Sequence, residues 1–222
     1  MDQKKLDKQS QYWEDNFSSK PEMFGLTQSL SAEKSLKLFQ ENKIDKIIEI
    51  GAGLGRDSIF FAKNSINTIA LDYSPAGIKV INQKIKKNNL SNFISTKLFD
   101  VRKKLPFKDN SVDACYSHML YCMALTTKDL EKLNNEIHRI LKPNGLNIYT
   151  VRHTNDGDYK NGKHIGEDLY ENDGFIVHFF SEEKVKSLLN GFNNITLEKF
   201  EEGKFPRKLF FVVNKKIKSN LK

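Results

Sequence analysis

Three glycines alternate at Gly51, Gly53 and Gly55 behind the apolar run Ile47-Ile48-Glu49-Ile50, and a helical pattern opens at Arg56-Asp57. Glycine at every second position lets the backbone turn tightly out of a strand and leaves room for a ligand against the main chain. The helix that starts there points free N–H groups at that ligand. Asp72 ends the next apolar run. A carboxylate there can accept two hydroxyl hydrogens, which suits the diol of a ribose. The chemistry these residues could do is to hold a nucleoside-containing cofactor.

The spacing narrows the cofactor. A dinucleotide fingerprint, G-x-G-x-x-G, requires glycine where this chain has Arg56. The pattern E-x-G-x-G-x-G resembles motif I of the class I S-adenosylmethionine-dependent methyltransferases. The amino-acid end of that cofactor needs carbonyl oxygens and a nearby acid as well as N–H donors, and Glu49 suits it. "LPFKDNSVDACYSHML" (105–120) resembles the loop and strand that follow in that family, and "HRILKPNGLNIYT" (138–150) is similar to its helix–Leu-Lys-Pro-Gly-Gly–strand junction. "GRDSIFFA" (55–62) looks like the subgroup of tellurite-resistance-type and thiopurine-type methyltransferases. The resemblance runs over 43–217. It implies a Rossmann-like three-layer sandwich on a seven-stranded, mostly parallel sheet of order 3-2-1-4-5-7-6 with the last strand antiparallel. It also implies S-adenosylmethionine as cofactor, S-adenosylhomocysteine as product and a small-molecule methyl acceptor.

The elements that must position these residues alternate between strand and helix patterns, as in a parallel sheet covered on both faces. An amphipathic helix is expected over 31–42, strands at Lys46–Ile50, Asn67–Asp72, 93–99, 112–117 and 146–151, and helices to about Lys63 and Lys87. Ser74-Pro75 reads as an N-cap followed by proline at the first helical position. Thr126 with Asp129 reads as a capping box, and Lys142-Pro143-Asn144-Gly145 as the stop of that helix. Ser181 caps a further helix, and strands 194–200 and 208–214 around Glu202-Gly203 read as a closing hairpin.

Open α/β sheets bind ligands beyond the carboxyl ends of their strands. Glu49 and the backbone of Gly51, Ala52, Gly53 and Gly55 are expected at the methionine part, and Asp72 at the ribose hydroxyls with Tyr73 over the adenine plane. Asp100 and the Val101 N–H are expected at the adenine edge, and Ser117 on the methyl side. Arg56 pairs either with the cofactor carboxylate or with Asp57, which itself suits a helix N-terminus. His118 and Tyr121 are the expected groups for orienting the acceptor, His118 being the base if one is used. Tyr12, Trp13, Arg152 and His153 are the expected acceptor walls. Segment 152–181, rich in glycine and aromatics and without clear periodicity, is expected as a lid, and residues 1–42 as a helical cap on a single domain spanning 1–222.

Composition sets the bounds. The chain has 222 residues with 38% hydrophobic and 29% charged, enough for one α/β domain. Net charge is +8, but only Arg56, Arg102, Arg139, Arg152 and Arg207 are arginines. The lysine excess reads as a solvated surface rather than a nucleic-acid footprint. There is no apolar signal-like start and no run long enough to span a membrane. Cys115 and Cys122 suggest neither a disulfide framework nor a zinc site, and the His and carboxylate groups of 152–181 lack ligand spacing. The expectation is a cytoplasmic enzyme, monomeric or homodimeric, with no resident metal. The alternatives are a nucleic-acid or protein methyltransferase, or a cofactor-binding module without catalysis.

Overall fold

The computed structural model describes residues 3–203 and 207–217. Two short helices, α1 (Gln3–Asp7) and α2 (Gln9–Ser19), precede α3 (Leu30–Glu41). Then β1 (Lys46–Ile50), α4 (Arg56–Lys63), β2 (Asn67–Asp72), α5 (Pro75–Lys87), β3 (Ile94–Leu98), β4 (Val112–His118), α6 (Thr127–Ile140) and β5 (Leu141–Arg152) alternate. The chain closes with β6 (Lys163–Gly166), β7 (Leu169–Asn172), β8 (Phe175–His178), α7 (Glu182–Ser187), β9 (Phe192–Glu202) and β10 (Arg207–Lys216). The main sheet has order β3-β2-β1-β4-β5-β10-β9. Counting along that sheet alone, this is 3-2-1-4-5-7-6, and its seventh strand, β10, runs antiparallel to both neighbours.

The caps form as their residue types dictate. Ser74 Oγ accepts from Gly77 N, Ser181 Oγ from Lys184 N, and Thr126 and Asp129 close a reciprocal capping box. α3 starts at Leu30 with Ser29 as its cap. The core lies on both faces of the sheet. Leu130, Leu133 and Ile137 of α6 are buried on one face, and Phe39 of α3 with Phe61 of α4 on the other.

Two expectations are corrected. Lys142-Pro143-Asn144-Gly145 follows the end of its helix as expected, but it lies inside a fifth strand that was expected to start only at 146. α6 ends at Ile140 and β5 begins at Leu141, with the four residues bulging out of register between the pairs Val112–Leu141 and Ala114–Leu146. Segment 152–181 is not an irregular loop. It carries β6, β7 and β8 as a separate antiparallel sheet. The turn between β7 and β8 is Asp173-Gly174, both at positive φ (49° and 84°) between the paired Asn172 and Phe175, the two-residue hairpin geometry that Asp-Gly favours.

Candidate active site

The carboxyl ends of β1, β2, β4 and β5 open into one cavity of about 680 Å³, within the ~300–1,000 Å³ range of small-molecule sites. α1 and α2 roof it, and β7, β8 and the β9–β10 end close its far side. The roof is tied down at several points. Gln9 Nε2 donates to Gly174 O (2.8 Å) and Tyr12 Oη to Asp173 O (2.7 Å). Glu14 accepts from Ser74 Oγ and from Ala76 N (3.2 Å) at the start of α5.

The three glycines are required for different reasons. A side chain at Gly51 would meet Leu120 at 2.9 Å, and one at Gly55 would meet Ile81 at 2.6 Å. Gly53 has φ +55° and its nearest neighbours are Phe17 and Phe24, at 3.5 and 4.0 Å. All three lie at positive φ (+72°, +55° and +76°), and only at Gly53 is the space in front free of a clash. The loop's N–H groups are not free as expected. Gly51 N and Ala52 N donate to Leu71 O, Gly55 N to Ala52 O, and Gly53 N to Asp72 Oδ2 (2.7 Å). Backbone carbonyls and bare Cα atoms are what this loop can offer a ligand.

Asp72 accepts from Gly53 N at one oxygen and from Ser74 N (2.9 Å) at the other. Each oxygen keeps a further lone pair. Burial raises its pKa to about 6 against these hydrogen bonds. Glu49 is buried, takes a hydrogen bond from Ser58 Oγ, and is held well above the usual carboxylate range by burial and by Asp57. Tyr73 and Val101 line the cavity near Asp72 and Asp100. Asp100 also lines it, but its carboxylate is held by Arg102 through Nη2 (2.8 Å) and Nε (3.1 Å). Arg102 in turn reaches Asp7 of α1 at 2.5 Å.

At the other end, His118 lies between Ser31 Oγ (2.9 Å) and Thr150 Oγ1 (3.0 Å) at Nδ1 and faces Glu202 Oε2 (3.4 Å) at Nε2. Thr150 Oγ1 already accepts from Met119 N (2.9 Å). With the Thr150 proton assigned to Nδ1, the imidazole proton is on Nε2, toward Glu202. Burial pushes the His118 pKa down, so the ring is neutral. Glu202 Oε1 accepts from Leu30 N (3.2 Å), while Oε2 is buried with no hydrogen-bond partner among the described residues. Arg152 lines the cavity, held by Asp156 and Asp158 (2.6 Å), with its guanidinium 5.2 Å from the Phe179 ring centroid.

Four expected site residues lie elsewhere. Tyr121 is fully buried, stacked on Tyr149 (4.1 Å) and donating to Asn134 Oδ1 (2.7 Å), so it is core. Ser117 is buried on β4 and outside the cavity lining. Successive strand residues face opposite sides, and the β4 residue that does line the cavity is His118. His153 packs on Phe210 (4.9 Å), with Nδ1 accepting from Asn155 N (3.0 Å). Tyr12 braces α2 against the β7–β8 turn and Phe175, and Trp13 beside it takes the wall position. Asp57 borders the cavity, but its carboxylate is used by Ser29 N (2.8 Å), Ser29 Oγ (2.7 Å) and Tyr116 Oη (2.8 Å), which fixes the start of α3. Arg56 Nη1 donates to Phe24 O (3.2 Å) and Nε lies 3.7 Å from Asp57. Glu202 and Arg207 line the cavity without having been expected there, and so do the Phe175 and Phe179 rings of the segment expected as a lid. Glu202 read only as a hairpin corner, and Asp173-Gly174 was the available signal that Phe175 starts a strand.

Residues 48–149 match the model of the methyltransferase-domain family. Over 103 residues, 45% of the chain, it is 39% identical to phosphoethanolamine N-methyltransferase 1 of Triticum aestivum, and it spans only 20% of that protein's length. Its fold is that of the Burkholderia thailandensis 1,6-didemethyltoxoflavin-N1-methyltransferase, solved with 1,6-didemethyltoxoflavin and S-adenosylhomocysteine. The TM-score is 0.71 at 14% identity, covering 97% of this chain and 90% of that one. TehB from Haemophilus influenzae is similar too, with a TM-score of 0.65 at 17% identity, covering 92% and 67%. The family match covers residues 48–149 and the solved structures share the fold, which makes S-adenosylmethionine the cofactor to set against this site. The residues present fit that cofactor. Asp72 keeps lone pairs for a ribose diol, Gly53 leaves the space, and the loop carbonyls with Glu49 suit an ammonium. Among the described residues, no helix is long and apolar enough to cross a membrane.

Proposed function

We propose that this protein moves a methyl group from S-adenosylmethionine to a small-molecule acceptor in the cytoplasm, releasing S-adenosylhomocysteine. The observation that carries the reading is one continuous cavity with Asp72, Gly53 and Tyr73 at one end and His118, Glu202 and Arg152 at the other. Asp72 takes the ribose hydroxyls, Tyr73 and Val101 flank the adenine, and Glu49 with the Gly51–Gly55 carbonyls faces the amino-acid end. The cofactor supplies an activated methyl and its leaving group when bound. The protein has to hold the acceptor atom roughly 3 Å from that methyl, in line and away from water. Trp13, Phe175 and Phe179 suit that exclusion of water.

A base is needed only where the acceptor must lose a proton. In that case the group placed for it is Glu202, whose Oε2 makes no hydrogen bond among the described residues and lies 3.4 Å from His118 Nε2. This differs from the expectation of His118 as the base, because both imidazole nitrogens already face protein groups. The test is calorimetry with S-adenosylmethionine, followed by a screen of amines, thiols and metalloid oxyanions for S-adenosylhomocysteine. Amines come first, because the wheat relative's name specifies an N-methyltransferase. Turnover of one of these compounds supports the reading. Tight cofactor binding with no turnover of any of them points to a binding module.

A further inference from the structure

The strand registers put one row of charged side chains on the acceptor side of the sheet. Arg152 pairs with Leu209 across β5–β10, and Glu202 pairs with Arg207 across β9–β10. Directly paired residues share a face, and so do Arg207 and Leu209, two apart on one strand. Arg152, Leu209, Arg207 and Glu202 all line the cavity. Arg152 and Arg207 are thus diagonal neighbours, with Cβ atoms about 7–8 Å apart, a spacing that lets two long guanidinium side chains converge on one group.

These two arginines differ in what they already hold. Arg152 is clamped through Nε and Nη2 by Asp156 and Asp158, and among the described residues Nη1 has no hydrogen-bond partner. The Arg207 side chain has neither an ion pair nor a hydrogen bond among the described residues, although Glu202 is its cross-strand partner. Glu202 is turned instead toward Leu30 N, His118 and Arg56 Nη2 (3.7 Å). Of the other acids of the lining, Asp158 is committed to Arg152, Asp7 and Asp100 to Arg102, Asp57 to Ser29 and Tyr116, Glu49 and Asp72 lie at the glycine loop, and Asp173 sits on the exposed β7–β8 turn where α2 is braced. An arginine fork left without its carboxylate on a cavity wall is built to receive a planar or tetrahedral oxyanion.

We propose that the acceptor carries an anionic group, a carboxylate or a phosphate, which Arg207 binds together with the free edge of Arg152. This rests on the methyl-transfer reading and adds the substrate class. The group is an anchor and takes no part in the transfer. It fixes the acceptor at the β5–β10 edge while the methyl-accepting atom extends toward the cofactor side.

The test uses the full chain saturated with S-adenosylhomocysteine, titrated by calorimetry with benzoate, phenyl phosphate and neutral benzamide. The first two distinguish carboxylate from phosphate, and the third has the shape of benzoate without the charge. At least one anion is expected to bind at least tenfold more tightly than benzamide. Arg207→Gln should weaken that anion at least tenfold while leaving S-adenosylhomocysteine affinity within twofold. Lys208→Gln removes the same charge on the opposite face of β10 and should leave the anion within twofold. Benzamide binding as well as both anions, no anion binding at all, Arg207→Gln behaving as wild type, or Lys208→Gln weakening the anion equally would each overturn the proposal. Failure of S-adenosylhomocysteine itself to bind would instead remove the methyl-transfer reading, and the anchor with it.

Discussion

At the scale of single residues, Asp72 decides the most. Its carboxyl is buried and already takes two backbone N–H bonds, yet burial still holds its pKa at about 6. The ionised form is therefore costly in the unliganded protein, and ribose hydroxyls that donate to it relieve that cost. Two results are expected. Asp72→Ala weakens S-adenosylhomocysteine by about 1–3 kcal/mol, the range for hydrogen bonds to a charged group. In the wild type, affinity rises as pH goes from 5 to 7 with a midpoint near 6, and calorimetry across that range should show the dependence lost in Asp72→Asn. A pH-independent affinity would remove the ribose assignment. Gly53 gives a cleaner separation of binding from folding than its neighbours. Positive φ is common to all three, but a side chain at Gly51 or Gly55 also collides with Leu120 or Ile81, whereas one at Gly53 meets only ordinary contacts. Gly53→Val should abolish measurable cofactor binding while circular dichroism still reports a folded chain. A variant with normal affinity would show that the ligand does not lie on this loop.

At the scale of elements, what could be read from the sequence depended on whether a signal was local. β1, β2 and α5 fall on the expected residues because apolar runs, Ser74-Pro75 and the glycine loop are each complete within a few positions. β6, β7 and β8 have four residues each, β6 and β7 with charged or polar side chains and β8 largely buried, so no alternation is long enough to detect. Side-chain assignment failed in the same way at Ser117 and Tyr121. Being near a strand end does not fix which face a residue takes, and one position separates core from cavity. His118 and Arg152 line the cavity because their side chains fall on the open face. Glu202 joins them through the pairing of β9 with β10, a long-range contact that the sequence does not display. The cap shows how elements cooperate. Gln9 and Tyr12 tie α2 to the β7–β8 turn while Glu14 ties it to α5. Glu14→Ala removes the acceptor for Ser74 Oγ and Ala76 N and should raise the dissociation rate of S-adenosylhomocysteine several-fold in stopped-flow displacement. An unchanged rate would show that α2 does not stand in the exit path.

At the scale of the whole molecule, stability against acid is set by buried groups of opposite sign. His178 is fully buried, with Nδ1 bonded to Leu125 O (2.7 Å) and Nε2 without a hydrogen-bond partner among the described residues. Burial, with Lys184 nearby, pushes its pKa down to about 4. Above the ordinary histidine value near 6.5 the ring is neutral in both folded and unfolded chains and costs nothing. As pH falls from there toward 4, the unfolded chain takes up a proton that the folded one refuses, so stability is lost through that window. A shift of that size corresponds to at most ~3.4 kcal/mol. Asp72 acts in the other direction over an overlapping range. Its raised pKa means that the folded chain binds a proton first, so its share of stability is recovered as pH drops through about 6. The unliganded protein should therefore show a shallower acid dependence than His178 alone would impose. Urea unfolding at pH 7 and pH 5 separates the two. His178→Gln, which keeps a donor for Leu125 O, should narrow the gap between the two midpoints, and Asp72→Asn should widen it. A gap that stays the same in both variants would mean that neither group governs the acid response, and that the bonds holding β8 to the sheet and β2 to the glycine loop do not sense pH.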